Sequence, residues 1–389
     1  MIPKPLDQIT EVDLNNLIEA RVAERKTLEY KVELPQPNAA GKKEFLADIS
    51  SFANTAGGDL IFGIAEAAGL PTAIPGVELG DVDGEILRWE GVIRAGLAPR
   101  VRQTTRVIPL SNGRSVLIFR LERSWYGPHR VIFENGARFY GRTTNGKYEL
   151  DVTDLRNAFL LSNSVMEKVR EFRSERIIAL ANGQTLTPLA AGAKLVMHVM
   201  ALESFAAQQQ YDVFAIEGLR PMYATRLGGW GDRINFEGKI IIASGEPPSA
   251  YTQIFRSGVI EAVRVGVLNG SRDYNVIPSL AYEEALVRYL PECLNALQAL
   301  GCQPPVLVGI SLLGVRGLRL AVDVNMEINI GGVRPIDRDV LMLPEMLIED
   351  LSTPIEPLLK PILDLVWNAC GIPSSPHFDE AGYWTGRRW

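Results

Sequence analysis

Two stretches decide how the first part of this chain folds: ERKTLEYK, residues 24–31, and SSFANTAGGDLIFGIAE, residues 50–66. Ahead of the first, residues 10–25 place Leu14, Leu17, Ile18 and Val22 on one helical face, with Thr10 and Asp13 in a capping-box pattern. At Lys26-Thr27 the apolar period changes to two. Leu28, Tyr30, Val32 and Leu34 point one way, and Glu29, Lys31 and Glu33 the other. That alternation predicts a half-buried strand, ended by Pro35 and Pro37. Residues 41–54 predict a second helix with Phe45, Ile49 and Phe52 inward, closed by a glycine turn from Asn54 to Gly58. DLIFGIA then reads as a strand buried on both faces.

Acids sit at the edges of these strands. On an unbroken helix, Glu24 and Glu29 would point about 140° apart, and on an unbroken strand to opposite faces. Only a corner between them turns both toward one point. Glu66 follows a glycine-containing strand, from which a side chain can leave the core. Three such carboxylates meeting in a cleft would hold Mg²⁺ or Mn²⁺, which favour oxygen ligands. The ion could then activate water against a phosphodiester. By spacing alone, three glutamates in such a chain are more often ordinary surface residues. Lys31 could hold a phosphate or simply neutralise Glu29. Asn54, Gly57 and Gly58 could line a backbone anion site or merely cap a helix.

The net charge of −6 argues against nucleic acid until its distribution is read. Between Arg94 and Lys147 there are eleven basic side chains and two acids, Glu122 and Glu134. Arginine dominates, and its planar fork matches phosphate oxygens. Arg100 and Arg102 lie near its start. Arg138, Tyr140 and Arg142 alternate on one strand face, with Lys147 just beyond, interleaving a stacking ring with phosphate partners. The alternative is a solvated arginine-rich hairpin, or one paired with acids elsewhere in the chain.

The 389 residues suffice for two domains. Two Asn-Gly turns, Asn112-Gly113 and Asn135-Gly136, lie between alternating runs and predict hairpins. DVTDLRNAFLLS starts a helix, and the first domain is expected over residues 1–162. Residues 163–182 read as a connecting helix. Strands at AKLVMHVMAL, GKIIIASG, VIEAVRVGVL and GLRLAVDV, with helices near 281–300 and 354–369, give an α+β second domain over 163–389. Its tail from Pro373 is expected to be loose or packed on a partner. Trp125, Tyr126 and Trp230 are contacts for a base or a partner, or ordinary packing. His198, in an apolar strand-like run, reads as a packed core histidine.

Cys293, Cys302 and Cys370 lack both disulfide-framework and zinc spacing, and the three histidines stand far apart. No apolar run reaches the roughly 18–20 residues of a membrane helix. The opening MIPKPLDQITEVD has no signal-peptide core, so a cytoplasmic protein away from membranes is expected.

The motif E-x4-E-[FY]-K, a helix ending F-A-N-T-x-G-G, and a strand ending G-[IV]-x-[DE] together resemble the Schlafen AlbA-like domain. Here they are Glu24, Glu29, Tyr30 and Lys31; Phe52, Ala53, Asn54, Thr55, Gly57 and Gly58; and Gly63, Ile64 and Glu66. RFYGRTTNGKYELDVTDL resembles the family's closing strand and helix, so the likeness covers about residues 20–162. It implies an α+β fold with a mixed sheet and hairpins, and nucleic-acid binding with RNA favoured over DNA. It also implies a metal-dependent endoribonuclease acting on structured RNA such as tRNA, with Glu24, Glu29 and Glu66 as the catalytic and metal-binding acids. Phage defence is the setting it suggests. The family's nuclease members carry Asp where this chain has Glu66, and the zinc site of its animal members has no counterpart here. Relatives have been described as ATP-binding, yet no G-x4-G-K-[ST] occurs, and GGWG at 228–231 lacks the lysine, so ATP is not expected. A regulator that holds DNA or RNA without cleaving it is the alternative, and an ATP-binding switch a more distant one. The second domain resembles the C-terminal part of bacterial Schlafen-like proteins, with selection of substrate or homo-oligomerisation as its expected role.

Overall fold

The computed structural model describes residues 1–206, 210–222, 229–268, 275–321 and 333–386. The chain divides into two compact units, Met1–Ser164 and Val165–Trp389, and the fold class is α+β.

In the first unit, α1 (Glu11–Glu19) is capped by Thr10 and Asp13 as their spacing predicts, but it ends six residues short of the expected Arg25. Ala20 closes the helix and Arg21 takes a left-handed φ of 47°. The strand β1 (Leu28–Lys31) follows, then α2 (Ala39–Ala53), β2 (Gly58–Phe62), the small hairpin β3 (Ala65–Ala67) and β4 (Leu70–Ala73), and α3 (Val82–Gly96). Next come β5 (Leu97–Ala98), β6 (Gln103–Pro109), β7 (Ser115–Leu121), β8 (Arg130–Val131), β9 (Arg138–Thr143) and β10 (Gly146–Glu149), and then α4 (Val152–Ala181), one continuous helix that begins in the first unit and ends in the second. One sheet runs β1-β2-β7-β6, with β1 parallel to β2 and the other pairs antiparallel. A second runs β10-β9-β8-β5. The Asn112-Gly113 hairpin forms as expected. The Asn135-Gly136 hairpin is reduced to two paired residues per strand.

Strand alternation divides the core. Leu60, Phe62, Leu117 and Phe119 face Phe45 and Phe52 of α2 and Trp89 of α3. Phe45 stacks edge-on against Trp89 and Phe119, with centroids 4.9 and 5.2 Å away. Leu28, Tyr30, Ile61, Val116 and Ile118 face Leu14 and Leu17 of α1 and the N-terminal residues Ile2, Leu6 and Ile9. On that face Asp59, fully buried, takes Arg120 Nε at 2.7 Å and the Ile2 amide at 2.6 Å, pinning the start of the chain to the sheet.

The second unit is an antiparallel sheet. Its strand order is Trp230–Ile234, Gly238–Ala243, Ala250–Phe255, Ile260–Val265, Lys194–Ala201, Val306–Leu313 and Val340–Met342, with Met346–Ile348 also paired to Val306–Leu313. One face covers the helices Ser279–Ala299 and Glu356–Ala369. The other meets Ile177 and Leu180 of α4. His198 is buried as expected, but it is not merely apolar packing. Its Nε2 lies 2.9 Å from Glu261, which also takes Arg176 and the Tyr251 hydroxyl. The tail is not loose. Ser375 donates its hydroxyl to buried Glu283 and its amide to Asp364, and His377 bonds Ser279. Residues 322–324 of the GLRLAVDV strand, Gly228, and residues 387–389 of the tail lie outside the described residues. No described helix is long and apolar enough to cross a membrane.

Candidate functional site

Because α1 stops early, Glu24 lies in a connector and is held from two sides. Its amide donates to Gly69 O at 2.7 Å, and its Oε1 accepts the Tyr30 amide at 2.8 Å. Glu66, exposed on β3, accepts the Gly69 amide at 2.7 Å, so both acids close on the same turn. Glu29, opposite Leu60 on β1, is half-buried. Burial pushes the Glu24 carboxyl up, and the nearby charges of Glu29 and Glu66 push it the same way. Glu24 therefore lies within electrostatic reach of both other acids. Glu29 is nonetheless committed at both oxygens. Glu29 Oε1 lies 2.6 Å from Lys31 Nζ, and its Oε2 takes Arg142 Nη2. Burial works against the Glu29 charge, yet Arg142 and Lys31 hold its pKa below the ordinary value. As folded, this donor set does not fit a divalent ion. Among the described residues no group of three or more His, Cys, Asp or Glu is disposed to hold one.

A further acid belongs to the same place. Asp48 of α2 is 2% exposed and accepts Lys147 Nζ at 2.8 Å, with Arg142 Nη1 at 3.8 Å. Sequence reasoning passes over it. Its signal is an aspartate inside the apolar run FLADISSFA, which must find a cation when buried. Lys147 also pairs with Glu44. Arg142, 3% exposed, lies over the Phe52 ring at 4.1 Å. Arg142 and Lys147 are thus internal partners of carboxylates rather than surface groups for phosphate, and Lys31 neutralises Glu29. Tyr140 is half-buried against the α2 core. Arg138 pairs with Glu149 at 3.1 Å, both more than half exposed, a pairing weak enough to yield to a ligand.

The FANT-x-GG block is a latch. Asn54 Nδ2 donates to His129 O at 3.0 Å and Tyr140 O at 2.9 Å, and its Oδ1 accepts the His129 amide at 2.6 Å. The neighbouring Thr55 hydroxyl accepts the Arg142 amide at 3.0 Å. One turn thereby fixes β8 and β9 against α2. Gly57 has φ +68°, and a Cβ there would fall 2.6 Å from Leu121 O. At Gly58 it would meet the Phe52 ring at 2.5 Å. The glycines serve close packing.

Four of the arginines left over gather elsewhere. Arg100, Arg102, Arg123 and Arg130 are exposed and make no ion pair among the described residues. Backbone pairing brings them together. Gln103 pairs with Leu121, so Arg102 and Arg123 flank the same end of the β6–β7 ladder. Arg130 pairs with Ala98, two residues before Arg100. His129 Nδ1, 2.8 Å from Pro99 O, ties these segments together. Arg123 stacks on Trp125 at 4.2 Å.

Residues 24–151 match the family model described as Schlafen, AlbA_2. This part of the chain is a Schlafen AlbA-like domain. No curated protein matches the chain. Among solved structures, the DIP2311 protein of Corynebacterium diphtheriae is similar at 17% identity, over 36% of this chain and 26% of that one, with a TM-score of 0.25. The N-terminal domain of a RecG-related protein from Nitrosomonas europaea is similar at 16% identity, over 30% of this chain and 75% of that one, with a TM-score of 0.23. Within the Schlafen AlbA-like domain, the latch and the acid–base network fall on the motif residues, and the exposed arginines fall outside them.

Proposed function

We propose that the Schlafen AlbA-like domain binds nucleic acid, RNA in preference to DNA, through Arg100, Arg102, Arg123 and Arg130. The observation that carries this reading is that these four guanidiniums are exposed, lack ion pairs among the described residues and lie on segments held together by the β6–β7 and β5–β8 pairings and by the His129–Pro99 bond. Guanidinium forks bind phosphate oxygens bidentately, and Trp125 adds an aromatic surface beside them. Glu122 is the nearby acid. Burial raises its pKa against the pull of Arg102 and Arg120. Fluorescence anisotropy with tRNA and with duplex DNA tests the reading. Arg102→Ala and Arg123→Ala should each weaken binding, and unchanged affinity in both would overturn it.

A metal-dependent endoribonuclease acting on structured RNA such as tRNA is the second reading. It is favoured by the closing of Glu24 and Glu66 on the same Gly69 turn, with the Glu24 carboxylate on the amide of Tyr30 next to Glu29. It requires Glu29 to leave Arg142 and Lys31. Incubation with tRNA, with and without Mn²⁺, tests it. Cleavage that survives Glu24→Gln and Glu29→Gln would remove these acids from the reaction.

A further inference from the structure

Between Arg123 and Arg130, the loop that joins β7 to β8 carries two aromatic side chains, Trp125 and Tyr126. Trp125 is half-exposed and belongs to neither apolar core of the first unit. Arg123 covers one face of its ring at 4.2 Å. Packing of the sheet against its helices therefore does not account for this indole.

The loop is clamped at both ends. Ser124 donates its amide to Ala53 O at 2.9 Å, and its hydroxyl accepts the Tyr126 amide at 3.2 Å. At the far end Asn54 bonds the His129 amide and carbonyl, at 2.6 and 3.0 Å. Burial brings the His129 pKa down to about 4, so the neutral ring donates its Nδ1–H to Pro99 O at 2.8 Å. Ala53 and Asn54, adjacent at the end of α2, thus grip both ends of residues 124–129. A ligand that stacks on Trp125 need not order the loop first.

We propose that Trp125 is a stacking platform for an unpaired nucleobase, and that the domain selects single-stranded segments over duplex. This rests on the nucleic-acid reading above and names the part of the RNA that is read. A base takes the face of the indole opposite Arg123, while Arg100, Arg102, Arg123 and Arg130 meet the adjoining phosphates. In a duplex each base is already stacked between its neighbours and paired at its edge, so it offers the ring no face. An unpaired nucleotide in a loop or at an end does. Ala53 and Asn54 are positioning residues, which set the place of the ring from behind.

The test measures the affinity of the full chain for one short RNA, as a single strand and as a blunt duplex with its complement, at the same low salt. Wild type should bind the single strand more tightly by about 10-fold or more. Trp125→Leu should lose about 5- to 100-fold on the single strand, the usual contribution of one base–aromatic stack, with duplex affinity and salt slope unchanged. Trp125→Phe, which keeps a ring, should recover most of that loss. Equal affinity of wild type for the two probes overturns the proposal. So does a Trp125→Leu that binds the single strand as wild type does, or one that loses equally on both probes. If Trp125→Leu fails to fold, the comparison of the two probes on wild type decides. Each of these failures leaves the arginine reading standing where wild type still binds with a steep salt dependence. Absence of binding to either probe at low salt removes both.

Discussion

Asn54 shows how one side chain can look like a ligand contact and act as a fastener. With both amide hydrogens and the carbonyl engaged, it has almost no capacity left for a phosphate. Asn54→Ala leaves the His129 amide and two carbonyls without their partner. It should lower stability by about 2–3 kcal/mol, read from the urea midpoint. A loss within about 0.5 kcal/mol, the usual range of a neutral surface change, would contradict the latch. The acids were half legible at this scale. The corner that brings Glu24 near Glu29 follows from the change of period at Lys26-Thr27. Which cation each acid meets does not follow, because Arg142 lies over a hundred residues along the chain from Glu29. Asp48 was hidden because helical periodicity places it without naming its partner.

At the scale of elements, what was legible is what local chemistry decides. The Thr10 cap, the α2 helix and the Asn112-Gly113 hairpin stand where their residues put them. The end of α1 does not, because Arg21 takes a left-handed conformation that no sequence signal marks. The β9–β10 hairpin turns through Thr144-Asn145, between Thr143 and its partner Gly146, and so lacks the central Asn-Gly pair that announces the first. Gly57→Ala tests the tight junction of α2, β2 and β7. With φ at +68° and Leu121 O in the way, it should cost on the order of 1–3 kcal/mol. Phe45→Ala, which removes a ring packed against Trp89 and Phe119, should cost about 3–5 kcal/mol. In either case a midpoint like that of wild type would show that the local packing is not as described.

At the scale of the whole molecule, pH and salt report on different units. Glu261 is fully buried in the second unit. Burial works to raise its pKa, but the bonds from Arg176 and His198 bring it down to about 2. A depressed carboxylate contributes stability that is complete above its unfolded value and lost as the folded form protonates. That contribution should therefore be full above about 4.5 and disappear as pH falls toward 2. Glu261→Gln should lose on the order of 3–5 kcal/mol at neutral pH, because Arg176 is left without its partner, and its melting temperature should vary less than wild type across that acid window. A wild-type acid profile with no drop there would contradict the buried pair.

The charge segregation of the first unit was plain in the sequence, but its use was not. Arg120, Arg142 and Lys147 are tied to Asp59, to Glu29, and to Glu44 with Asp48. Only the packed chain separates these structural bases from the free ones. Arg100, Arg102, Arg123 and Arg130 give the proposed surface about four phosphate contacts, and each arginine removed from it should reduce the salt slope by about one. The most direct measurement is therefore the affinity for tRNA as a function of salt, for wild type and for a chain combining Arg100→Ala, Arg102→Ala, Arg123→Ala and Arg130→Ala. Wild type should show a log–log slope of about −3 to −4, and the combined variant a slope near zero with weak binding. Equal slopes in the two proteins, or no binding by wild type at low salt, would contradict the account.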